Sequence, residues 1–304
     1  VESFKFYEEL LSVPVSHPTK QMTIPALDFT SASVWLDTIS DDSLSYLKPC
    51  HYINLPLSSS DMNDFAKVYK LNYNSRQPNV VNCLRWATHK IKDTVTPPKL
   101  SPQEKWDQAL ALRLILHLVG DIHQPLHCAG KTLPHGSSDH GGNRTKLSPS
   151  YPIPSIQAKD HSSAVNLHQL FDAAFGIWPQ DTISTQLDIS PARQRLLEEA
   201  RAELMQQHPL FFKRHQSSTV ESWVEDGYYL AFEVYQRLRY LPSSAQDEYL
   251  AELPSDFIPY FQAKLKKRLW LAGERLAWLL QGLYEARQGK PFPLIPTEFV
   301  LNTK

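Results

Sequence analysis

Cysteine, long apolar runs and net charge are all scarce in this sequence. The 304 residues include three cysteines, Cys50, Cys83 and Cys128, which are too few and too scattered for a disulfide scaffold or a cysteine-based zinc knot. Two alternatives stay open: one disulfide plus a free thiol, as a secreted protein could have, or three buried thiols. No apolar run reaches about 18 residues, so no membrane-spanning segment is predicted.

The charge balance excludes a globally basic surface. Lys and Arg total 31 against 32 Asp and Glu, which gives a formal net charge of −1. Such a chain has no overall field that attracts nucleic acid. A polyanion would therefore have to be held by local groups or by metal ions.

Glycine is scarce as well, and the helical signal dominates. There are ten glycines, few hairpin dipeptides and almost no strand-like alternation. Periodicity predicts helices over 79–91, 190–207, 222–240 and 258–286, and a capping box at Ser101 and Glu104 begins another helix that runs past His117. In 258–286 the apolar positions at helical spacing are predicted to face the core: Leu265, Leu269, Ala272, Leu276, Leu279 and Leu280.

These patterns predict an all-α fold, with a single mainly helical domain over 1–304. No repeat or linker indicates a second domain. One long irregular stretch, about 128–165, is rich in Ser, Pro, Gly and His. A loop of this length inside a compact domain is usually functional, as a rim or lid, or else mobile.

Two His-x-x-x-Asp pairs are the most informative motif. His117 and Asp121 form one pair and His168 and Asp172 the other. On a helix, residues four apart share one face, where an imidazole and a carboxylate can bind one divalent ion. A single such pair is more often an ordinary hydrogen-bonded pair. Here the pair recurs, Asp121 follows an apolar stretch that makes an unpaired carboxylate costly, and His127 follows a helix-breaking proline. The pattern indicates a multinuclear zinc hydrolase.

Other polar residues near these motifs are predicted to have structural roles. Asn143 begins a formal glycosylation sequon, but it belongs to a Gly-Gly-Asn segment and is predicted to shape the loop. Four further histidines are predicted to be hydrogen-bonding or solvent-facing groups: His123, His135, His140 and His161.

Several segments resemble the zinc-dependent single-strand nuclease and 3'-nucleotidase family. That family comprises secreted fungal nucleases, plant bifunctional nucleases and bacterial relatives, with the bacterial zinc phospholipase C as a distant cousin. The central motifs are 117–127, 139–143 and 166–172. Shorter matches lie at 34–37, 50–54, 222–226 and 271–277, so the resemblance covers most of the chain and implies a helical fold around a tri-zinc cleft.

The resemblance implies a set of zinc ligands. Those of the first zinc are Asp37, His51, His117 and Asp121. Those of the second are His127, His168 and Asp172. Asp121 would also bridge to a third zinc, so three ions are expected from the family and two have ligands in this chain. Taken alone, Asp37 would be an ordinary solvated carboxylate at a helix end.

The implied reaction is phosphodiester hydrolysis by a hydrolase of the endonuclease type. A metal-bound hydroxide would attack phosphorus in line while zinc stabilises the O3' leaving group, giving 5'-phosphate products from single-stranded DNA and RNA. Asp37 and Asp121 would carry the catalytic roles through the ions. The resemblance also implies 3'-nucleotidase activity. It further implies a monomer with no protein partner and a secreted or periplasmic location after removal of a signal peptide.

Three residues are predicted to contact substrate. Tyr52 occupies the position of a base-stacking aromatic, with packing in the core as the alternative; stacking favours single strands because a duplex hides its base faces. Asn54 stands where fungal relatives have an acidic base-reading residue, so base preference is expected to differ. Asn143 lies in the loop beside the implied metals.

The chain departs from the family pattern in two places. A Trp and a His that bind the third zinc have no counterpart before Asp37, so either a few N-terminal residues are missing from this chain or the third zinc has been lost. Ser40 stands where some relatives carry an Arg that contacts phosphate. Its absence is expected to weaken transition-state stabilisation unless another cation substitutes.

Two other functions compete with the nuclease. One is phospholipase C chemistry on the same cluster, although Asp172 counts against it because phospholipase relatives typically carry Glu there. The other is a metal-stabilised binding protein that has lost catalysis.

Overall fold

A computed structural model describes residues 2–39, 42–57, 64–93, 100–133, 135–152, 163–176, 219–243 and 248–290, with a few isolated positions between 195 and 206. Within these ranges the chain is mainly helical, which confirms the predicted fold class. The α-helices are α1 Glu2–Leu11, α2 Phe29–Val34, α3 Phe65–Asn72, α4 Val80–Asp93, α5 Pro102–Asp121, α6 Pro125–Cys128, α7 Leu167–Asp172, α8 Val220–Arg237 and α9 Phe257–Arg287.

Helix α5 forms the centre of the fold. Its N-terminus has the predicted capping box, in which the Ser101 hydroxyl accepts from the Glu104 amide and the Glu104 carboxylate accepts from the Ser101 amide. Every residue from Trp106 to Val119 is buried. A helix that is covered on all sides must be surrounded by other elements, and α1, α2, α4 and α9 all pack against it. The C-terminal end of α5, at Asp121, is therefore held firmly.

The other predicted helices differ in outcome. The 79–91 and 258–286 helices are confirmed as α4 and α9, and the 222–240 helix is confirmed up to Arg237, where α8 ends. Eleven of the 18 positions of the predicted 190–207 helix lie outside the described residues, and the seven that are described are helical. The prediction for Leu269 was wrong, because this side chain of α9 is 40% exposed and lines a cleft described below.

The structure corrects the prediction of one irregular stretch over 128–165. Within it lie β4 Ala129–Lys131, β5 Thr145–Pro152 and β6 Ser163–Asn166; residues 134 and 153–162 are outside the described ranges. The other strands are β1 Val15–Ser16, β2 Thr23–Ile24, β3 Leu55–Leu57, β7 Arg239–Leu241 and β8 Tyr249–Glu252.

Strand pairing explains why this stretch escaped prediction. The four-stranded sheet has the order β6-β5-β8-β7, in which β5 runs parallel to β8, about 100 residues later in the chain. A parallel pair cannot be joined by a tight hairpin. Strands β3 and β4 also pair in parallel. Local turn signals are therefore absent at these pairings.

The structure contains one disulfide and one free thiol, which is the first of the two predicted alternatives. Cys50 and Cys83 form a disulfide that joins the 3-10 segment Asp42–His51 to α4, while Cys128 is a buried free thiol. The disulfide fixes the residue immediately before His51. Among the described helices, none combines the length and apolar character needed to cross a bilayer.

Candidate metal centre

All seven predicted ligands lie close together at the end of α5. Helix α5 supplies His117 and Asp121 from its last turn, and α7 supplies His168 and Asp172. The remaining three come from short elements: Asp37 in the 3-10 turn Trp35–Thr38, His51 at the end of its 3-10 segment, and His127 in α6.

A short chain reversal positions His127. Helix α5 ends at Asp121, and Pro125 is the first residue of α6, where a proline is tolerated because its missing N–H has no partner in the first turn. The helix break predicted at Pro125 is present, and Pro125 begins the next helix. The reversal brings Nδ1 of His127 to 3.6 Å from Oδ1 of Asp121.

The first group of ligand atoms is compact. Nδ1 of His51 and Nε2 of His117 lie 3.1 Å apart, and each is 3.5 Å from Oδ1 of Asp37. Oδ2 of Asp121 is 3.0 Å from the His51 nitrogen and 3.1 Å from the His117 nitrogen. Four donors therefore converge on one point.

The second group consists of His127, His168 and Asp172. Nε2 of His168 lies 3.3 Å from one oxygen of Asp172, and Nε2 of His127 lies 3.6 Å from the other. The two imidazole rings are stacked, 5.1 Å between centroids. Together with Asp172 they form a set of three donor atoms within 4.8 Å of one another, as do Asp37, His51 and His117.

Backbone carbonyls orient three of the four imidazoles. The Nδ1–H of His117 donates to Ser33 O at 2.6 Å, and that of His127 to His51 O at 2.8 Å. The Nδ1–H of His168 donates to Gly141 O at 2.8 Å. Each bond leaves the Nε2 lone pair directed at the ligand group. This arrangement is common around metal-binding histidines.

Two supporting residues had no role assigned from the sequence. Gln124 donates from Nε2 to Oδ1 of Asp172 at 2.9 Å and so orients that carboxylate. Asp139 is fully buried and accepts from Thr145, Tyr235 and the Lys131 amide. These bonds fix the loop that carries Gly141. The central motifs contain both residues, but only the fold shows what they contact.

Two buried arginines of α9 hold the turn after Asp121. Arg268 donates from Nε to His123 O at 2.7 Å. Arg275 donates to Nε2 of His123 at 2.7 Å and to Asp226 at 2.9 Å. Burial and the two guanidinium groups hold the pKa of His123 well below its ordinary value. His123 is thus a buried hydrogen-bonding residue, as predicted.

The electrostatics of the ligand group favour positive charge. Burial lowers the pKa of His117, but the hydrogen bond and negative charge of Asp121, with that of Asp37, outweigh it and raise the pKa to about 9. Burial raises the pKa of Asp121, but His117 and His51 outweigh it and hold the pKa below its ordinary value. A field that stabilises imidazolium also stabilises a bound dication.

The ligand groups lie in a cleft of about 710 Å³. The predicted substrate residues Tyr52, Asn54 and Asn143 all line it. Tyr52 is 40% exposed, so the alternative that it packs in the core was wrong. Asn143 donates to His140 O, which agrees with a role in shaping the loop.

Two of the other histidines predicted to be hydrogen-bonding or solvent-facing, His135 and His140, are described. His140 lines the cleft, and His135 bonds with the Ser137 hydroxyl. His161 and Ser40 lie outside the described residues. Three large apolar side chains, Phe171, Leu265 and Leu269, also line the cleft. Leu265 is nevertheless buried at 3% exposure, as its place in the helical stripe of α9 predicted.

The sequence also matches the model of a known protein family. The sequence model of the family described as S1/P1 Nuclease matches residues 8–285. The chain belongs to the S1/P1 nuclease family. It is also similar to Endonuclease 2 of Arabidopsis thaliana, with 26% identity over 148 residues. That alignment covers 48% of this chain and 43% of the plant protein, so it spans less than half the length of this relative.

A substitution at Gly141 tests how His168 is held in this S1/P1 family member. Gly141 has φ +60°, and an added Cβ would lie 2.2 Å from Leu126 O. Gly141→Ala is expected to displace the carbonyl that orients His168, lowering metal affinity about 10- to 100-fold. Metal titration of the purified variant measures this effect.

Gly136→Ala is the matched control. Gly136 also has positive φ, +93°, but nothing lies within 4 Å of an added Cβ. This variant is expected to have about 1–3 kcal/mol of backbone strain and wild-type metal affinity. Equal affinities for the two variants would contradict the role of the Gly141 carbonyl.

Proposed function

We propose that this protein is a zinc-dependent phosphodiesterase that hydrolyses single-stranded DNA and RNA to 5'-phosphate products. The observation that carries the proposal is the pair of ligand groups at the base of one cleft, linked through Asp121 and bordered by an exposed aromatic ring. Membership of the S1/P1 nuclease family supports the same reaction class.

The donor set fits zinc. Mixed imidazole and carboxylate ligation suits this borderline cation, and ligand bonds of about 2.0–2.2 Å place donor atoms within roughly 4.4 Å of one another. The distances between donor atoms given above for the two groups are 3.0–3.6 Å, which is inside that limit. Asp37, His51, His117 and Asp121 would hold one ion, and His127, His168 and Asp172 the other.

The protein residues position the ions and the substrate. When bound, zinc lowers the pKa of a coordinated water to about 7 and stabilises negative charge on a leaving oxygen. Oδ2 of Asp121 lies 3.1 Å from Nε2 of His117 in the first ligand group, and Oδ1 lies 3.6 Å from Nδ1 of His127 in the second. This carboxylate therefore lies between the two groups. Gln124 and the Gly141 carbonyl fix Asp172 and His168, and we propose that the ion held by this second group would stabilise the O3' leaving oxygen.

Tyr52 supports a preference for single strands. Its ring is exposed in the cleft next to His51, where a nucleobase could stack only if unpaired. Stacking on an aromatic ring contributes about 1–3 kcal/mol per base. Asn54 and Asn143 offer amide groups to the same space, and 3'-nucleotidase activity would use the same surface on a single nucleotide.

We also propose a secreted or periplasmic location. The support is the Cys50–Cys83 disulfide, because disulfides persist mainly in oxidising compartments. Placed immediately before His51, the disulfide stabilises the position of a proposed zinc ligand.

Phospholipase C-type hydrolysis is the second candidate. The apolar wall of Phe171, Leu265 and Leu269 is the observation that favours it, since an acyl chain could lie against these side chains. Both candidates use the same ions, so substrate choice separates them.

The deciding experiment offers the zinc-loaded protein four substrates: single-stranded DNA, single-stranded RNA, duplex DNA and phosphatidylcholine vesicles. The proposal expects both single strands to be cleaved to 5'-phosphate ends, at least about fivefold faster than duplex as stacking predicts, and chelator to stop the reaction. Cleavage of phosphatidylcholine alone would favour the second candidate. Turnover that persists in chelator, or no turnover of any substrate, would contradict the zinc phosphodiesterase.

A further inference from the structure

Lys48 is the cationic side chain of the cleft. Among the described residues that line the cleft, no other Lys or Arg is present. Lys48 is exposed, and no described carboxylate forms an ion pair with it. The rest of the described lining is rich in His and Asp, so Lys48 is the position in this lining where an ammonium group can bind an anionic ligand.

The backbone around Lys48 is well fixed. Leu47 and Cys50 are buried at 1% and 0% exposure, and the Cys50–Cys83 disulfide ties this segment to α4. Lys48 therefore projects from a rigid support, which reduces the entropy lost when its side chain binds a ligand.

The 3-10 geometry sets the position of Lys48 relative to the metal centre. Lys48 and His51 lie three residues apart in the 3-10 segment Asp42–His51. A 3-10 helix has three residues per turn and rises about 2.0 Å per residue. The two side chains therefore share one face, about 6 Å apart along the axis, which is comparable to the step between successive phosphates of an extended strand.

We propose that Lys48 binds the phosphate that flanks the cleaved one, so that the enzyme favours substrates with at least two phosphates. This inference rests on the proposed function and deepens it. An ammonium group binds phosphate as a point charge, without reading the base. Lys48 would therefore raise the affinity for oligonucleotides of any sequence over substrates with one phosphate.

The test compares Lys48→Ala and Lys48→Arg with Lys105→Ala. Lys105 is exposed at the N-terminal end of α5, about 24 Å along the helix from Asp121. Binding of a fluorescent ten-nucleotide DNA is measured by anisotropy across a salt series. Hydrolysis of the same DNA is compared with that of a dinucleoside monophosphate, which has one phosphate.

Lys48→Ala is expected to weaken oligonucleotide binding roughly tenfold and to reduce the slope of log K against log salt by about 0.7. Its kcat/KM for the DNA should fall roughly fivefold or more relative to that for the dinucleoside monophosphate. Lys48→Arg should retain the slope, and Lys105→Ala should match wild type. The inference is overturned if the Lys48→Ala slope is unchanged or if both substrates lose kcat/KM equally. Binding needs no turnover, so a protein that binds through Lys48 but cleaves neither substrate would contradict the proposed function alone.

Discussion

Replacing Asp121 by Asn is expected to reduce hydrolysis of single-stranded DNA by at least about 10²- to 10³-fold, the range seen when one electrostatic stabiliser of a transition state is lost. Asp121 is the carboxylate that contacts the first ligand group through Oδ2 and His127 through Oδ1. The amide keeps the size but removes the negative charge that would attract the proposed ions. The measurement pairs kcat/KM with metal content per chain, and both should fall together.

Asp107→Asn is the matched control for this substitution. Asp107 lies on the same helix, about 21 Å along it from Asp121. It is buried and forms an ion pair with Lys90 at 2.6 Å. The variant should lose stability through the broken pair yet keep its metal and its kcat/KM. If Asp121→Asn kept its metal and lost no more activity than Asp107→Asn, the proposed role of Asp121 as a metal ligand would be wrong.

Removing the metal is expected to lower the melting temperature substantially. The seven proposed ligands come from five separate elements, so bound ions would join parts of the chain that are distant in sequence. A ligand at roughly 1,000 times its Kd stabilises the folded state by about 4 kcal/mol per site. Each kcal/mol shifts the melting temperature by about 2–4 °C in domains slightly smaller than this one. Calorimetry with and without chelator measures the difference.

Zinc added back after chelation should restore the original melting temperature, and Asp121→Asn should respond to chelator less than wild type. The central helix α5 is buried along most of its length, so the chelated protein should still unfold cooperatively. An unchanged melting temperature, in protein shown by metal analysis to be zinc-free, would refute a structural contribution from the ions.

The helices could be predicted because their signals are local. The Ser101 capping box and the apolar spacing of α4 and α9 lie within the elements they specify. The strands were missed because their partners are distant: β5 pairs with β8 from beyond α8. Leu269 was misassigned because periodicity shows which residues share a face but not whether that face meets the core or a cleft.

The candidate site could likewise be predicted where its signals are local, but not where its contacts come from distant parts of the chain. The His117–Asp121 and His168–Asp172 pairs are visible as helical spacings, and the structure brings both pairs together with Asp37, His51 and His127. The supporting contacts could not be read from spacing. The arginines that hold His123 come from about 150 residues later in the chain, and the partners of His117 and His168 are backbone carbonyls, which any residue type can offer.

The most direct test of two zinc ions on these ligands is anomalous diffraction at the zinc absorption edge, from crystals of the protein purified without chelator. We expect one peak among Asp37, His51, His117 and Asp121, and another among His127, His168 and Asp172. Each peak should lie about 2.0–2.2 Å from its nitrogen and oxygen ligands. Zinc-supplemented crystals with no anomalous density at either group would contradict this expectation.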